Sequence, residues 1–219
     1  MKSLLVSVGG VNVTLYFILL CLLSILLTYA GKTFLISEDL YFQFFGDQLS
    51  YERIAQIISI QEKWEWTSYA FVPIYYVVKI FLISFCIYTG AMINAIDISF
   101  KKICQMALVA EAVFLVPGIF KLFWFIFVHT NYTLSDIQMF YPLSVLNFFD
   151  PYSLDVWLIY PLQLINIFEV IYLLVLTYGL YLATESSYSR MLGLIVSSYG
   201  TGLFIWTIAV MFLTISFSA

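Results

Sequence analysis

Charged residues are scarce in this chain, and their scarcity excludes an ordinary soluble domain. They make up 10% of the 219 residues, whereas hydrophobic residues make up 63%. Soluble domains carry about 25% charged residues and about 45–50% apolar ones. The sequence therefore predicts an integral membrane protein.

Basic clusters, histidine and cysteine are also rare. Nine Lys and Arg face 13 Asp and Glu without forming a basic block, so nothing indicates nucleic acid as a partner. One histidine, His129, and three cysteines without metal or redox spacing argue against a metal site, and no phosphate-binding loop or hydrolase motif is present. We expect no nucleotide, no cofactor and no enzymatic activity. The abundance of Ile, Phe and Tyr favours an AT-rich, bacterial source.

Five apolar stretches are long enough for membrane-spanning helices, which need about 20 residues. The first exceeds the 7–15 apolar residues of a typical signal peptide, so we expect it to remain as a span. The predicted fold is a single all-α transmembrane domain over residues 1–219. Its five spans cover residues 11–30, 69–93, 103–129, 162–184 and 191–217.

Two long connections carry most of the acidity. Residues 32–68 hold three basic and six acidic residues, and residues 131–161 hold three acidic residues and no basic one. In the first connection, Ser50 can cap a short amphipathic helix that ends at Trp64 and Trp66. We expect short interfacial helices in both connections, with aromatic anchors, or alternatively loops packed on the spans.

The basic residues predict the orientation. They are concentrated in short segments that lie on one side if the N-terminus is cytoplasmic, as the positive-inside rule requires. The prediction is N-in and C-out in the bacterial inner membrane. The residues concerned are Lys2, Lys101, Lys102 and Arg190.

Ionisable residues inside the predicted spans need partners. A charge near the bilayer centre costs at least about 2.5–3.5 kcal/mol, so Lys79, Glu111, Lys121 and Glu169 should face protein or water. Depths estimated at about 1.5 Å per residue place Lys121 level with Glu169, with Lys79 close to that layer. We therefore expect a Lys121–Glu169 ion pair. Glu111 falls in the opposite leaflet, level with hydroxyl groups of the fifth span at Ser197, Ser198 and Tyr199.

Two interpretations of this polar network remain open. It either joins helices through buried polar contacts, or it lines an outward-facing cavity that includes Asn166. Gln163, Asn166, Glu169 and Tyr172 recur every three residues, which predicts one polar stripe on the fourth span. The pair Pro117-Gly118 can kink the third span, and such breaks also occur at ion sites of transporters.

Two segments carry a family resemblance. One is Ile98-Ser99-Phe100-Lys101-Lys102 before a span with a central proline, and the other is Phe148-Phe149-Asp150-Pro151-Tyr152-Ser153-Leu154 with Trp157, before a span that contains Gly179. Over residues 70–217 the chain resembles the Yip1-type family of five-span membrane proteins. The resemblance implies a helical module that binds partners or shapes membranes. The Asp-Leu-Tyr-Gly-Pro motif and the long cytoplasmic N-terminal region of the eukaryotic trafficking members are missing, so a small-GTPase partner and functional residues are not carried over.

The predicted function is a non-enzymatic scaffold or accessory subunit of a larger inner-membrane complex. Its expected partners are lipids and another integral membrane protein, which it would bind by helix packing. The alternative is a small transporter or channel subunit with a polar, outward-facing cavity around Lys79, Lys121 and Glu169. An intramembrane enzyme that acts on lipid ranks third, because Glu111 and His129 are too isolated for general acid–base catalysis.

Overall fold

The chain is helical throughout the residues that the computed structural model describes, which are 12–150 and 153–218. Helices, turns and loops account for these ranges, and no β-strand occurs in them. The predicted all-α fold is confirmed to this extent. Four residues used in the sequence analysis lie outside the described ranges, namely Lys2, Val11, Pro151 and Tyr152.

Eight helices follow one another in the described ranges. One of them, α4, is continuous but contains a 3₁₀ segment and a π segment, and a separate 3₁₀ turn covers Val145–Phe148. The eight are α1 (Val13–Leu35), α2 (Glu38–Phe45), α3 (Tyr51–Ile93), α4 (Phe100–Val128), α5 (Leu134–Met139), α6 (Val156–Leu164), α7 (Ile167–Ala183) and α8 (Tyr188–Ser218).

Four of these helices are long and apolar enough to cross a membrane, as expected of a multi-pass membrane protein. They are α1, α3, α4 and α8, whereas α7 has 17 residues and falls short of the usual length of about 20. The predicted fourth span, residues 162–184, is not one helix. The chain breaks at Ile165 and Asn166, between α6 and α7.

The second predicted span and the amphipathic helix before it form one helix of 43 residues, α3. Ser50 stands at its N-terminal cap position as predicted, although its side chain makes no capping hydrogen bond. The predicted break between Trp66 and Tyr69 was wrong. Pro73 lies inside this helix without ending it. Contacts with neighbouring helices can compensate for the backbone hydrogen bond that a proline removes.

Helix α4 deviates from ideal geometry on both sides of its Pro117-Gly118 pair. Residues Glu111–Phe114 form a 3₁₀ segment and Trp124–Val128 a π segment, while Leu115–Phe123 is regular α-helix. Pro117 has no N–H to donate to the carbonyl of residue 113. The irregularity predicted at the proline therefore falls one turn earlier, where Glu111 begins the 3₁₀ segment.

Four helices enclose the centre of the molecule. Helix α3 packs on α4 and α8, and α7 packs on the same two helices, so the four form a closed bundle. Helix α1 lies against the outside of this bundle, in contact with α3 and α4. There the Ser24 hydroxyl is 2.7 Å from the Tyr76 hydroxyl, and the Tyr16 hydroxyl donates to the carbonyl of Val109.

The two halves of the bundle differ in packing. One end carries the short turns 94–99 and 184–187, and Arg190 donates to the carbonyl of Asn94 there. The half next to this short-turn end is filled by fully buried apolar side chains, among them Ile87, Ile103 and Met191. The other end, the long-loop end, carries residues 36–50, 129–150 and 153–155, and Lys121 and Glu169 lie in the halves of α4 and α7 that are nearer to it.

Candidate functional site

A buried ion pair joins α3 to α4. The Nζ atom of Lys79 lies 2.8 Å from Oε2 of Glu111, whose side chain is 0% exposed, and the Lys79 side chain is 23% exposed. Tyr172 on α7 donates to the other carboxylate oxygen of Glu111 at 2.9 Å. Lys79 also lies 4.0 Å from the centroid of the Phe114 ring. Glu111 is thereby held by two neighbouring helices.

A second carboxylate, Glu169, lies in the first turn of α7. Its Oε1 accepts a hydrogen bond from the Tyr199 hydroxyl of α8 at 2.6 Å. Its backbone N–H donates to Oδ1 of Asn166 at 2.8 Å, so Asn166 caps α7. A negative charge in the first turn of a helix is favoured by the helix dipole. Glu169 therefore has stabilising partners from two directions.

Lys121 has no such partner. No carboxylate in the described ranges forms an ion pair with it, and its Nζ lies 5.6 Å from the ring centroid of Tyr141. The predicted Lys121–Glu169 pair is not found. The 3₁₀ segment changes the angular register between Glu111 and Lys121, because it has 3.0 residues per turn instead of 3.6. The break before α7 shifts Glu169 as well.

The predicted contacts of Glu111 with the hydroxyls of α8 are replaced by others. Ser197 and Ser198 donate to the carbonyl of Leu194 in their own helix, at 3.1 and 2.7 Å. Tyr199 bonds to Glu169 instead of Glu111. Of the three predicted hydroxyls, only the Tyr199 hydroxyl reaches a carboxylate.

A cavity of about 940 Å³ occupies the half of the bundle towards the long-loop end. It contains most of the predicted polar residues, namely Lys79, Glu111, Lys121, Asn166, Glu169 and Tyr199, whereas Ser197 and Ser198 do not line it. Apolar side chains form most of its wall. Ligand pockets measure about 300–1,000 Å³ and combine apolar walls with a few polar groups, so this cavity is large enough for a small molecule.

Several lining residues were not in the predicted network. Tyr172, from the predicted stripe, does not line the cavity, but its hydroxyl donates to Glu111, which explains why it faces inward. The ring nitrogen of Trp206 on α8 donates to the Tyr160 hydroxyl of α6 at 2.8 Å. Tyr141 comes from the long connection, and burial raises its pKa, so its phenol stays neutral. The sequence offers no local signal for the position of Tyr141, since only the folded loop brings it to α4.

The break between α6 and α7 is fixed by hydrogen bonds. The Nδ2 atom of Asn166 donates to the carbonyls of Gln163 and Leu164, at 2.9 and 3.2 Å. The loop supplies the N–H of Val145, which donates to the carbonyl of Ile165 at 2.9 Å. The backbone groups that the break frees are thus bonded, and the break places Asn166 and Glu169 in the cavity wall.

Replacement of Asn166 by alanine should destabilise the protein by about 1–2 kcal/mol, the usual cost of losing a side-chain cap. Thermal unfolding in detergent measures the effect. Asn166→Ser should recover part of the loss because a serine hydroxyl can cap. Asn12→Ala is a matched control, since Asn12 caps the exposed start of α1 and should matter less. Equal midpoints for Asn166→Ala and the native chain would contradict the assignment.

Comparison of the chain with protein-family models, with curated proteins and with solved structures finds no significant match. Membership of the Yip1-type family therefore stays a prediction. Among the described residues, no three His, Cys, Asp or Glu side chains are grouped as a metal site would require. The chemistry of the site is thus that of a cavity with two lysines, two glutamates and a mostly apolar wall.

Proposed function

We propose that the protein is a small membrane-embedded transport subunit that binds its ligand in the cavity. The observation that carries this proposal is the volume of about 940 Å³ inside the bundle, with Lys79, Glu111, Lys121 and Glu169 in its wall. Polar groups that only joined helices would be packed against one another. Here Lys121 lines the cavity and forms no ion pair with a carboxylate of the described residues.

The broken helix supports the same function. Irregular backbone at membrane depth is tolerated where it is buried in protein or lines a cavity, and discontinuous helices form the binding sites of many transporters. In the proposed topology α6 and α7 together make the fourth of five passes. The N-terminus is cytoplasmic, the C-terminus is extracytoplasmic, and the cavity opens towards the long-loop end on the extracytoplasmic side of the inner membrane.

The scaffold or accessory-subunit role stays a prediction. It would be supported by another integral membrane protein that co-purifies in stoichiometric amount after gentle extraction. The cavity favours transport over this role, because helix packing with a partner uses the outer surface of the bundle and needs no internal volume.

Flux through proteoliposomes tests the transport function, and Cys86 provides a way to block it. Cys86 lines the cavity, whereas Cys104 does not. In a chain that keeps only Cys86, reaction with a bulky maleimide should abolish flux by filling the cavity. The solutes to be tested are Na⁺, K⁺, protons, small carboxylates, inorganic phosphate and fluorescent single-chain amphiphiles. The flux of each is compared with its flux into protein-free liposomes.

The matched control keeps only Cys104 and receives the same reagent. We expect its flux to be unaffected, since Cys104 does not line the cavity. Flux that stays at the level of protein-free liposomes for every solute, with folded protein in the bilayer, would contradict transport.

A further inference from the structure

The charges in the cavity are unequally satisfied. Lys79 and Glu111 neutralise each other at 2.8 Å. Glu169 accepts from Tyr199 and lies at the start of a helix, where a negative charge is favoured. The Lys121 ammonium group lies over the Tyr141 ring and forms no ion pair with a carboxylate of the described residues. Lys121 is thus the lysine in the wall that pairs with no carboxylate of the described residues.

Neutral hydrogen-bonding groups line the same cavity as this cation. Tyr141 lies beneath the Lys121 ammonium group, and Gln163 belongs to α6 at the same wall. A phenol and an amide can both donate to an oxygen anion. Hydrogen bonds from such donors and from an ammonium group are the usual way to hold a carboxylate or phosphate. The cavity thus offers Lys121 as an anion-binding group, and no carboxylate of the described residues occupies it.

The rest of the cavity wall is apolar and can accommodate an alkyl chain. Val78 and Leu82 on α3 and Ile205 and Trp206 on α8 line the cavity and are also 52%, 47%, 61% and 53% exposed. Because these side chains line the cavity and remain about half exposed, the cavity is open on the side where α3 and α8 lie. In a bilayer that side faces lipid chains.

We propose that the cavity binds an amphipathic anion, with a carboxylate or phosphate headgroup at Lys121 and an alkyl chain along the apolar wall. This inference rests on the transport function proposed above and names its substrate class. Lys121 is the selectivity residue, whereas Lys79 and Glu111 hold the helices together. The headgroup could also come from a free small anion, and the experiment separates the two sources.

Protection of Cys86 from maleimide measures binding directly. The protein, with Cys86 as its only cysteine, is placed in phosphatidylcholine nanodiscs and reacted with N-ethylmaleimide. The probes are dodecanoate, dodecyl phosphate, dodecanol and dodecyltrimethylammonium, with acetate and inorganic phosphate as headgroups alone. We expect the two dodecyl anions to halve the reaction rate at a concentration about tenfold below that of dodecanol, and the headgroups alone to have no effect.

Variants of Lys121 test its role. Lys121→Met should remove the tenfold preference for dodecanoate over dodecanol, and Lys121→Arg should keep it. Lys101→Met, at an exposed lysine of the short-turn end, controls for a change in net charge and should keep the preference. Lys121→Met should also unfold at or above the native midpoint, because it removes a partly buried cation that pairs with no carboxylate of the described residues. A residue with only a structural role would lower that midpoint.

The outcomes separate the two proposals. Equal protection by dodecanol and dodecanoate, or a preference that survives in Lys121→Met, would overturn the assignment of Lys121 while cavity binding stands. Protection by acetate or phosphate at the concentrations of the dodecyl anions would show that the ligand's alkyl chain is not needed for binding. Failure of every probe to protect Cys86 would overturn both the amphipathic ligand and its binding site, whereas flux of a small solute would still support transport.

Discussion

Replacement of Lys79 by methionine should lower the free energy of unfolding by about 3–5 kcal/mol, the cost of breaking a buried ion pair from one side. Glu111 is 0% exposed and would keep its charge without a cation. The Tyr172 hydroxyl would remain its partner, at 2.9 Å, but one neutral donor does not replace an ammonium group. The buried carboxylate would then have to draw water into the bundle.

Urea or thermal unfolding in detergent measures this loss, and a second substitution identifies its cause. The double variant Lys79→Met with Glu111→Leu should recover most of the stability, because apolar residues can replace a buried pair at little cost. Lys101→Met is the matched single control, since Lys101 is exposed. Additive losses in the double variant would show that the two residues do not interact.

The ion pair and the cavity divide the polar network into two parts. The sequence left open whether its charges join helices or line a cavity, as if one answer applied to all of them. In the structure Lys79 and Glu111 form a contact between α3 and α4, and Lys121 stands apart from them in the same cavity wall. The Lys79–Glu111 pair helps to hold α3 and α4 together, and Lys121 supports the proposed function.

The long helices could be predicted because length and hydropathy determine them locally. The expected spans at residues 11–30, 103–129 and 191–217 correspond to α1, α4 and α8 within a few residues. Continuity was harder to predict. Trp64 and Trp66 marked a change from polar to apolar sequence, but backbone hydrogen bonds in a helix do not depend on that change, and α3 continues through it.

The break before α7 did have a signal in the sequence. Asn166 and Glu169 have the spacing of a helix cap and its third residue, which is typical of a helix start. Because the run from residue 162 to 184 is apolar and long enough for a span, it favours one continuous helix with both residues in a stripe, and the capping signal is easily overlooked. The stripe predicted that both residues face inward and left open whether they line a cavity; in the structure they lie in the cavity wall, and Asn166 caps α7 there.

The partners of the charges could not be predicted from depth alone. One helical turn is about 5.4 Å, so an error of one turn in the position of a span exchanges one partner for another. The 3₁₀ segment at Glu111–Phe114 and the break at Ile165 both introduce such errors. The cavity itself depends on how α3, α4, α7 and α8 surround one another, which a single sequence does not contain.

Replacement of Gly90 by alanine should destabilise the protein by about 1–3 kcal/mol, as overpacking of a core does. A Cβ atom on Gly90 would lie 2.5 Å from Cβ of Ser198, and a Cβ atom is fixed to the backbone and cannot rotate away. Helices α3 and α8 would have to separate at this contact. It lies between the packed half of the bundle and the cavity, so the separation should also loosen the cavity floor near Cys86.

A matched glycine and a compensating variant make this prediction specific. Gly193→Ala, in α8 with no atom within 4 Å of the added Cβ, should be neutral or stabilising by up to about 1 kcal/mol, because alanine favours helix more than glycine does. Gly90→Ala combined with Ser198→Gly should recover part of the loss, since the obstructing Cβ atom is removed. Thermal unfolding gives the stabilities, and the maleimide rate of Cys86 should rise in Gly90→Ala alone. A native rate and midpoint in that variant would mean that α3 and α8 do not pack closely below the cavity.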